Sequence, residues 1–445
     1  MKKVYDFLVL GGGSGGVAAA YNAARYGKKV AVIESQRLGG TCVNLGCVPK
    51  KVMWYGVAMI EDFKRANAYG IDLEYSMSFE KLKNNRDEYV KRINLDYESM
   101  LKEEKIDYIR GFGKFLDSST IEVGTESISS KHILIATGSS PLLPDILGKE
   151  NLSTSDDFFA LKSLPKDVLI IGNGYIAAEL AGIFKTFGSN VSIAIRGTSF
   201  LRGFDQDIGE IMGQIYTKSG IRLLFNTDTK EVNFSGGKFQ AKIGEQFESF
   251  DKIFAAAGRV PNIHKISLEK AGVKFENGCI LTDEYERTNI PGIYAIGDVT
   301  SRIKLTPVAS AAGKKLVERI FNNGTAKMDY TNIPSVVFSH PPIGILGMTE
   351  TQAREKFEDV KVYKTSFDDI NFALSSHKMP NFMKMICTGK DEKIIGLHVL
   401  GRNVDEAMQG FAVAIKMGAT KADFENAVDL RFWGTKVYNR NIMTS

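Results

Sequence analysis

Two of the four cysteines in this chain lie close together, within the stretch GGTCVNLGCVPKK at residues 39–51. Cys42 and Cys47 stand five positions apart among glycines, and a proline and two lysines follow them. Two thiols at this spacing can form a structural disulfide, half of a metal site, or a redox pair that opens and closes during turnover. The rest of the sequence has to distinguish these three possibilities.

The cysteine and histidine content disfavours the first two possibilities. Four cysteines in a chain of 445 residues do not make a disulfide framework. A zinc half-site needs a second pair of ligands, but Cys279 and Cys387 are isolated and the five histidines form no pair at ligand spacing. We therefore expect no metal, and a catalytic disulfide is the interpretation that remains.

Length and charge limit the classes of partner. The length suggests roughly three domains, and 44% hydrophobic with 24% charged residues is ordinary for a soluble globular protein. The net charge of +5 is mild and the basic residues are spread out, so no nucleic-acid partner is expected. No apolar run reaches membrane-spanning length, which predicts no membrane partner and a cytoplasmic location.

The N-terminal segment carries a dinucleotide-binding fingerprint. Residues 4–10, VYDFLVL, predict a buried strand that leads into GGGSGG and an alanine-rich helix. Gly11, Gly13 and Gly16 fit G-x-G-x-x-G, and a second predicted strand ends in Glu34 about twenty residues later. The glycines permit close approach to a pyrophosphate at the helix N-terminus, and the acid suits a ribose hydroxyl. The glycines alone would fit any tight turn, but the complete pattern favours a dinucleotide site.

The same pattern recurs at residues 167–196. The second fingerprint consists of Gly172, Gly174 and Ala177. Its second strand ends in Ile195, with Arg196 next and Arg202 six positions later, so no carboxylate is available for a ribose 2′-hydroxyl. Two guanidinium groups are placed where a 2′-phosphate would bind, which favours NADPH over NADH. The alternative is that both arginines are solvated surface residues.

Two dinucleotide sites with a dithiol suggest a flavin as the intermediary between nicotinamide and thiols. Two further segments, ILIATGSSP at 133–141 and KIFAAAGRVPN at 252–262, look like crossings between two nucleotide-binding domains. Another buried strand, IYAIGDVT, brings Asp298 to a position suited to a ribityl hydroxyl. From about Asp329 a third region of strands and helices begins, without a nucleotide motif.

Over its first 428 residues the chain resembles the pyridine nucleotide–disulfide oxidoreductases, and among them the glutathione reductases. The motifs that carry the resemblance are GGTCVNLGCVPKKVMW, GYIAAELAG, SHPPIG and GFAVAIKMGATKADFENAV. The resemblance implies an α/β fold with two Rossmann-like domains, for FAD and NADPH, and a C-terminal α+β dimerisation domain. It also implies a homodimer whose active sites are completed by the partner. The implied boundaries are 1–143 with 262–327 for FAD, 144–261 for NADPH and 328–445 for the interface.

The resemblance assigns roles around the thiols. Cys42 would attack the substrate disulfide, and Cys47 would face the flavin. Lys50 would lie near the flavin and pair with Glu179, although Glu179 taken alone would be an ordinary solvated helix glutamate. Tyr175 would cover the flavin until nicotinamide displaces it. We also expect one helix beginning near Cys42, whose dipole favours thiolate at both cysteines.

The remaining expected cofactor contacts divide between the two nucleotides. Those for FAD are Gly11, Gly13, Ser14, Gly15, Gly16, Glu34, Thr41, Cys42, Lys50, Gly113, Asp298 and Thr306. Those for NADPH are Gly172, Asn173, Gly174, Tyr175, Ile176, Glu179, Arg196, Arg202 and Gly258. Arg259, in the AAAGRVPN crossing, is assigned to cofactor binding as well.

The implied substrate is a small disulfide, oxidised glutathione, contacted by Ser14, Tyr97 and Lys314. Its net negative charge calls for cations. The family usually has an arginine where this chain has Tyr21 and Asn22, a departure that partly resembles the trypanothione reductases. Lys314 favours glutathione, and reduction of a trypanothione-like disulfide is the alternative.

The C-terminal end departs from the family pattern. Glutathione reductases place a His-Pro turn after ADFxNTV, with a glutamate five residues beyond the histidine, and that histidine protonates the leaving thiolate. Here Arg431 and Lys436 occupy those positions, and no histidine follows His398. A flavoprotein with impaired disulfide turnover is therefore a further alternative. A dihydrolipoamide dehydrogenase would need an acid at Ile195, and a mercuric reductase would need a further C-terminal cysteine pair.

Overall fold

The computed structural model describes residues 3–376 and 378–427. It has the mixed α/β character that the sequence predicts, with two parallel sheets and a C-terminal antiparallel sheet. None of the helices in these ranges is long and apolar enough to cross a membrane. The chain forms two compact units: Met1–Val52 with Lys81–Leu142 and Gly258–Tyr330, and Met53–Glu80 with Leu143–Ala257 and Thr331–Ser445.

A five-stranded parallel sheet forms the centre of the first unit. Its central strand, Phe7–Leu10, is buried on both faces. One face packs on the helices Ser14–Arg25 and Thr306–Phe321, and the other packs on a small second sheet. This explains why the strand is continuously apolar instead of alternating. In spatial order the strands are Ile293–Ala295, Ile133–Ile135, Phe7–Leu10, Val30–Glu34 and Asp107–Arg110.

The prediction of one strand over residues 4–10 is wrong, because the chain changes sheets at Asp6. Lys3–Tyr5 pairs with Glu126–Ser130 in the second sheet, whereas Phe7–Leu10 enters the parallel sheet. Between them the carboxylate of Asp6 accepts the backbone N–H of Lys29 at 2.8 Å. A charged residue inside an apolar run therefore marks the crossing. The second sheet has the order Lys3–Tyr5, Glu126–Ser130, Thr120–Val123 and Gly113–Asp117.

The first unit contains several shorter elements. Two of its strands, Ser139–Pro141 and Arg259–Pro261, form an antiparallel pair. Two long helices, Cys47–Arg65 and Phe79–Glu103, begin or end in this unit. The others are the helices Gly40–Leu45 and Leu268–Ala271, the 3₁₀ turn Gly297–Val299, and the strand pair Phe275–Glu276 with Cys279–Ile280.

The second unit begins with another parallel sheet, again five-stranded. The helix Tyr175–Thr186 follows its central strand, Asp167–Ile171, as a βαβ unit requires. The strand order is Ser153–Thr154, Lys252–Ala255, Asp167–Ile171, Asn190–Ala194 and Arg222–Leu224. This unit also contains the helices Ser155–Ala160 and Gln206–Lys218, the 3₁₀ turns Ala66–Tyr69 and Lys149–Asn151, and a meander of Val232–Ser235, Lys238–Ile243 and Gln246–Phe250.

An antiparallel sheet with helices on it completes the second unit, as predicted for the C-terminal region. Its apolar face packs on the helix Val404–Lys416 through residues such as Leu346, Leu397 and Met408. In spatial order the strands are Ser335–Val337, Ile343–Gly347, Lys393–Leu400, Pro380–Thr388 and Val360–Asp368. The other elements are the helices Glu350–Lys356 and Lys421–Asn426 and the 3₁₀ turn Ile370–Phe372.

Candidate active site

The two cysteines begin two different helices. Cys42 lies in the first turn of Gly40–Leu45, and Cys47 is the first residue of Cys47–Arg65. The expected single helix is interrupted at Gly46, where a Cβ atom would lie only 2.9 Å from the carbonyl oxygen of Thr41. The break lets both thiols lie at helix N-termini.

The two thiols are in contact with each other and with two hydroxyl groups. A hydrogen bond joins the side chains of Cys42 and Cys47. Cys42 also contacts the hydroxyl groups of Thr306 and Ser14. The Sγ of Cys47 lies 3.7 Å from the Oγ1 of Thr306. Four residues from three separate segments of the first unit therefore meet at one point.

This arrangement determines where the proton of the dithiol is held. The hydrogen bond to Cys47 raises the pKa of Cys42 most, and burial and the charge of Cys47 raise it further. The hydroxyls of Thr306 and Ser14 lower the pKa of Cys42, but by less. The net pKa of Cys42 is therefore raised in the dithiol form, and the expected stabilisation of a thiolate by the helix dipole stays a prediction. The two thiols titrate as a coupled pair, and the contact with Cys47 holds the proton on Cys42.

Two of the three predicted substrate residues, Ser14 and Tyr97, lie beside the thiols. Tyr97 belongs to the helix Phe79–Glu103, and burial followed by the charge of Cys42 raises the pKa of its phenol. Lys314 is exposed on the helix Thr306–Phe321, two turns beyond Thr306. The guanidinium of Arg25, an exposed cation at the end of the helix that lacks the family's arginine, lies 5.7 Å from the ring centroid of Tyr21.

The first glycine fingerprint forms a cradle that side chains would fill. A Cβ atom on Gly11, which has φ +113°, would lie 2.3 Å from the carbonyl oxygen of Ala136. A Cβ on Gly16 would lie 2.0 Å from the carbonyl oxygen of Gly11, and one on Gly15 would press on Ile296. Gly13 precedes the helix, and no side chain caps its first N–H groups. Uncapped amides at a glycine turn fit a pyrophosphate.

Glu34 lies at the end of its strand and faces this turn. Its carboxylate accepts the backbone N–H of Gly12 at 2.7 Å and that of Gln36 at 2.6 Å. The acid is therefore held in place beside the glycines, as a contact to a ribose hydroxyl requires. At position 113 packing requires glycine, because a Cβ atom there would lie 2.5 Å from the side chain of Leu10.

Asp298 is connected to Arg259 and Thr41 through a residue that the sequence analysis did not identify. The hydroxyl of Ser139 donates to the carboxylate of Asp298 at 2.6 Å and accepts from the Nε of Arg259 at 2.9 Å. A second nitrogen of Arg259 donates to the carbonyl of Ser139 at 2.6 Å and to the Oγ1 of Thr41 at 3.4 Å. Arg259 thus belongs with the residues predicted for FAD. The sequence gives no indication of this role for Ser139, because its partners Asp298 and Arg259 are distant in sequence.

The second fingerprint repeats the geometry of the first. A Cβ atom on Gly172, with φ +154°, would lie 2.3 Å from the carbonyl oxygen of Ala256, which corresponds to the contact of Gly11 with Ala136. Gly174 precedes the helix Tyr175–Thr186, again without a side-chain cap, and has open space around it. Both turns therefore offer uncapped amides to a phosphate. Tyr175 and Ile176 form the first turn of this helix, and Tyr175 is exposed.

The two predicted 2′-phosphate arginines lie on one loop, residues 195–205. The side chains of Arg196 and Arg202 are both exposed. Asn173 fixes the loop, because its side-chain amide donates to the carbonyl of Ser199 at 2.6 Å and its backbone carbonyl accepts the N–H of Arg202 at 3.0 Å. Gly258 has φ +126°, which suits glycine, and lies beside Arg259 in the first unit.

Glu179 is not an ordinary solvated glutamate. Only 6% of its surface is exposed, and its carboxylate accepts the backbone N–H of Phe338 at 2.9 Å. Lys50 is the fourth residue of its helix and belongs to the first unit, whereas Glu179 belongs to the second. Their predicted ion pair stays a prediction. Arg431 and Lys436 lie outside the described residues.

Comparisons with known proteins agree with this site. A family model described as pyridine nucleotide-disulphide oxidoreductase matches residues 5–313. The model of the dimerisation domain of that family matches residues 333–430. A glutathione reductase from Yarrowia lipolytica (strain CLIB 122 / E 150) is 42% identical over 450 residues, covering 95% of this chain and 96% of that protein. The chain therefore belongs to the pyridine nucleotide–disulphide oxidoreductase family.

Proposed function

We propose that this chain is an NADPH-dependent flavoprotein disulfide reductase that reduces oxidised glutathione to glutathione. The observation that carries the proposal is the contact between Cys42 and Cys47 at two helix starts. Cys42 also contacts Ser14, the first residue of the helix that follows the uncapped dinucleotide turn. The likeness to the Yarrowia lipolytica glutathione reductase extends over both chains almost completely and supports the choice of substrate.

The nucleotides fit residues of this chain. The FAD residues are Gly11, Gly13, Ser14, Gly15, Gly16, Glu34, Thr41, Gly113, Asp298 and Thr306, to which the geometry adds Ser139 and Arg259 as support. When bound, FAD supplies a two-electron link between nicotinamide and the thiols. NADPH uses the turn around Gly174 together with Arg196 and Arg202. Domain boundaries at 143, 262 and 328 are part of the proposal.

The thiols perform the disulfide chemistry in two exchanges. The Cys42 thiolate attacks one sulfur of the substrate disulfide, so a mixed disulfide forms and the first glutathione leaves as a thiolate. The Cys47 thiolate then attacks Cys42, so the Cys42–Cys47 disulfide forms and the second glutathione leaves. Each departing thiolate takes up one proton. Because Thr306 and Ser14 touch Cys42, they stabilise its thiolate for the first attack.

The substrate pocket should suit an anionic disulfide. Lys314 and Arg25 provide positive charge on neighbouring helices of the first unit, while Ser14 and Tyr97 lie beside Cys42. This favours oxidised glutathione over a cationic trypanothione-like disulfide. A homodimer, supported by the match to a dimerisation domain, and a cytoplasmic location belong to the same proposal.

The test is a steady-state assay of the FAD-loaded protein with NADPH and oxidised glutathione. Two thiols should appear for each NADPH consumed, and a cationic disulfide should react more slowly. Cys42→Ser should abolish thiol formation but leave electron transfer to an artificial acceptor. In an anaerobic NADPH titration, a long-wavelength absorbance from the Cys47 thiolate should appear, and Cys47→Ser should remove it. Thiol formation that survives Cys42→Ser would contradict the assignment.

A further inference from the structure

One lysine of the second unit is completely buried among carboxylates. Lys384, on the strand Pro380–Thr388, is 2% exposed. Its Nζ donates to the Oδ1 of Asp205 at 2.8 Å, to the Oδ2 of Asp207 at 2.6 Å, and lies 2.7 Å from the Oε2 of Glu350. Burial lowers the pKa of Lys384, but these three hydrogen bonds outweigh it and the net pKa is raised. The buried ammonium therefore stays charged and fully paired.

Asp205 is the partner that connects this cluster to the nucleotide-binding fold. It is 1% exposed by its side chain and caps the helix Gln206–Lys218, where its Oδ1 accepts the N–H of Asp207 at 3.2 Å. Its Oδ2 accepts the backbone N–H of Glu350 at 3.1 Å. A carboxylate held by a lysine, a helix start and a second backbone amide has little freedom to move.

Asp205 is also the last residue of the loop 195–205, which carries the two arginines. Arg202 precedes it by three residues, and the turn between them is tight. Leu201 has φ +58°, Gly203 has φ +89°, and the N–H of Phe204 donates to the carbonyl of Leu201 at 3.1 Å. Asp205 therefore anchors one end of the short turn that carries Arg202, while the N–H of Arg202 is held by the backbone carbonyl of Asn173 at 3.0 Å.

We propose that Lys384 is a positioning residue for recognition of the 2′-phosphate of NADPH, because it holds Asp205 and thereby fixes the loop that presents Arg202 and Arg196. This inference rests on the proposed function, in which both arginines bind that phosphate. Lys384 and Glu350 lie in the region matched by the dimerisation-domain model, whereas the loop lies in the region matched by the other family model. Cofactor selectivity thus depends on a side chain from outside the nucleotide-binding fold.

The sheet supplies a matched control for a purely stabilising role. Lys364 pairs with Lys384 across neighbouring strands, and its Nζ lies 2.9 Å from the Oδ2 of Asp207 and 3.7 Å from the Oε2 of Glu350. In the described parts of the chain it makes no ion pair with Asp205. Lys364→Met therefore removes a charge from the same cluster without releasing the loop.

The experiment compares binding of adenosine 2′,5′-bisphosphate and of 5′-AMP to the FAD-loaded protein by calorimetry. Lys384→Met should raise the Kd for the bisphosphate about tenfold, the equivalent of one charge-assisted hydrogen bond, and should change the Kd for 5′-AMP by no more than about twofold. In turnover it should raise KM for NADPH while kcat with saturating NADPH stays close to wild type. Lys384→Arg should restore most of the preference for the bisphosphate over 5′-AMP, and Lys364→Met should retain that preference.

Two further variants make each result decisive. If Lys384→Met does not fold, Asp205→Asn replaces it, since asparagine still caps the helix but loses the ion pair; it should lose discrimination in the same direction. Unchanged discrimination in a folded Lys384→Met or Asp205→Asn protein, or an equal loss in Lys364→Met, would overturn the inference. Failure of the proposed function looks different: the wild type itself would not distinguish the two ligands, and Arg196→Ala with Arg202→Ala would change nothing.

Discussion

The hydroxyl of Thr306 contacts both thiols of the redox pair, so it influences which sulfur carries negative charge. Its hydrogen bond to Cys42 lowers the pKa of that thiol, because a donated hydrogen bond stabilises the thiolate. The hydroxyl of Ser14 acts in the same direction from another segment. The immediate neighbours of Cys42 thus act on its pKa in both directions, Cys47 and burial raising it and the two hydroxyls lowering it.

Removing the Thr306 hydroxyl should make Cys42 less reactive at a given pH. In Thr306→Val the pKa of Cys42 rises, since one stabilising hydrogen bond to the thiolate is lost. The pH profile for alkylation of Cys42 by iodoacetamide in the reduced protein, followed by mass spectrometry, should shift towards higher pH. Thr306→Ser, which keeps the hydroxyl, should retain the wild-type profile. Overlapping profiles for the valine variant and the wild type would contradict this role.

The charge of Arg196 should determine the choice between nicotinamide cofactors. A charge-assisted hydrogen bond to a 2′-phosphate contributes about 1.5–3 kcal/mol, which corresponds to roughly 10- to 100-fold in kcat/KM. Arg196→Ala should therefore reduce kcat/KM with NADPH by about that factor and leave the value with NADH nearly unchanged. Arg222→Ala, at an exposed arginine paired with Glu248 instead, is the control. Equal flavin reduction by both nucleotides in the wild type would show that Arg196 is only a surface charge.

At the scale of elements, the two nucleotide turns differ from the helix starts that carry a capping box. Thr154, Thr349 and Thr420 each cap a helix through a complete capping box, which satisfies the first amides internally. Gly13 and Gly174 provide no such cap. Other helix starts of the described residues, such as those after Leu305 and Asn403, also lack a side-chain cap, so the two nucleotide turns are distinguished by the missing cap together with their glycines and close backbone approaches.

A buried histidine, His340, follows Phe338, the residue whose backbone N–H donates to the carboxylate of Glu179. His340 stacks at a tilt on Trp54, with ring centroids 5.4 Å apart, and Trp54 donates to the carbonyl of Ser339 at 2.8 Å. The Nδ1 of His340 is buried and has no hydrogen-bond partner among the described residues. Burial lowers the pKa of His340 to about 3, so the ring stays neutral in the folded protein.

This histidine should make the protein sensitive to mild acid. Because the folded pKa is about 3 and an unfolded histidine titrates near 6.5, the unfolded state binds more protons between these values. The contribution to stability is complete above pH 6.5 and is lost as the pH falls, by at most about 1.4 kcal/mol per pH unit. Urea denaturation should therefore show a smaller loss of unfolding free energy from pH 6.5 to 4.5 in His340→Gln than in the wild type. Equal slopes would contradict the prediction.

Local sequence patterns predicted much of this architecture. They could not predict contacts between residues that are far apart in the sequence. The glycine fingerprints were correct because each is a short-range requirement of one turn, visible at Gly11 and Gly172. The break at Gly46 was missed because periodicity continued through it. The bond from Ser139 to Asp298 spans 159 positions and that from Lys384 to Asp205 spans 179, and no local spacing encodes such pairs.

At the scale of the whole molecule, the C-terminal sequence raises a question about proton supply. Each turnover releases two thiolates that need protons, and the resemblance to the glutathione reductases implies a proton-donating histidine in the C-terminal segment. No histidine follows His398 in this chain, and Arg431 occupies the corresponding position. An arginine can stabilise a thiolate but cannot deliver a proton at neutral pH. The step that releases glutathione should therefore be slow while flavin reduction by NADPH is normal.

The expected loss in the disulfide step is roughly 10²–10⁴-fold, the usual contribution of a general acid. Stopped-flow measurement separates the steps: NADPH should reduce the protein at a rate similar to that of the Yarrowia lipolytica glutathione reductase measured beside it, and oxidised glutathione should then reoxidise it far more slowly. Imidazole added as an external acid should accelerate this second step in proportion to its concentration, because it supplies the missing proton donor. A reoxidation rate equal to that of the related enzyme, with no response to imidazole, would mean that another residue of this chain delivers the proton.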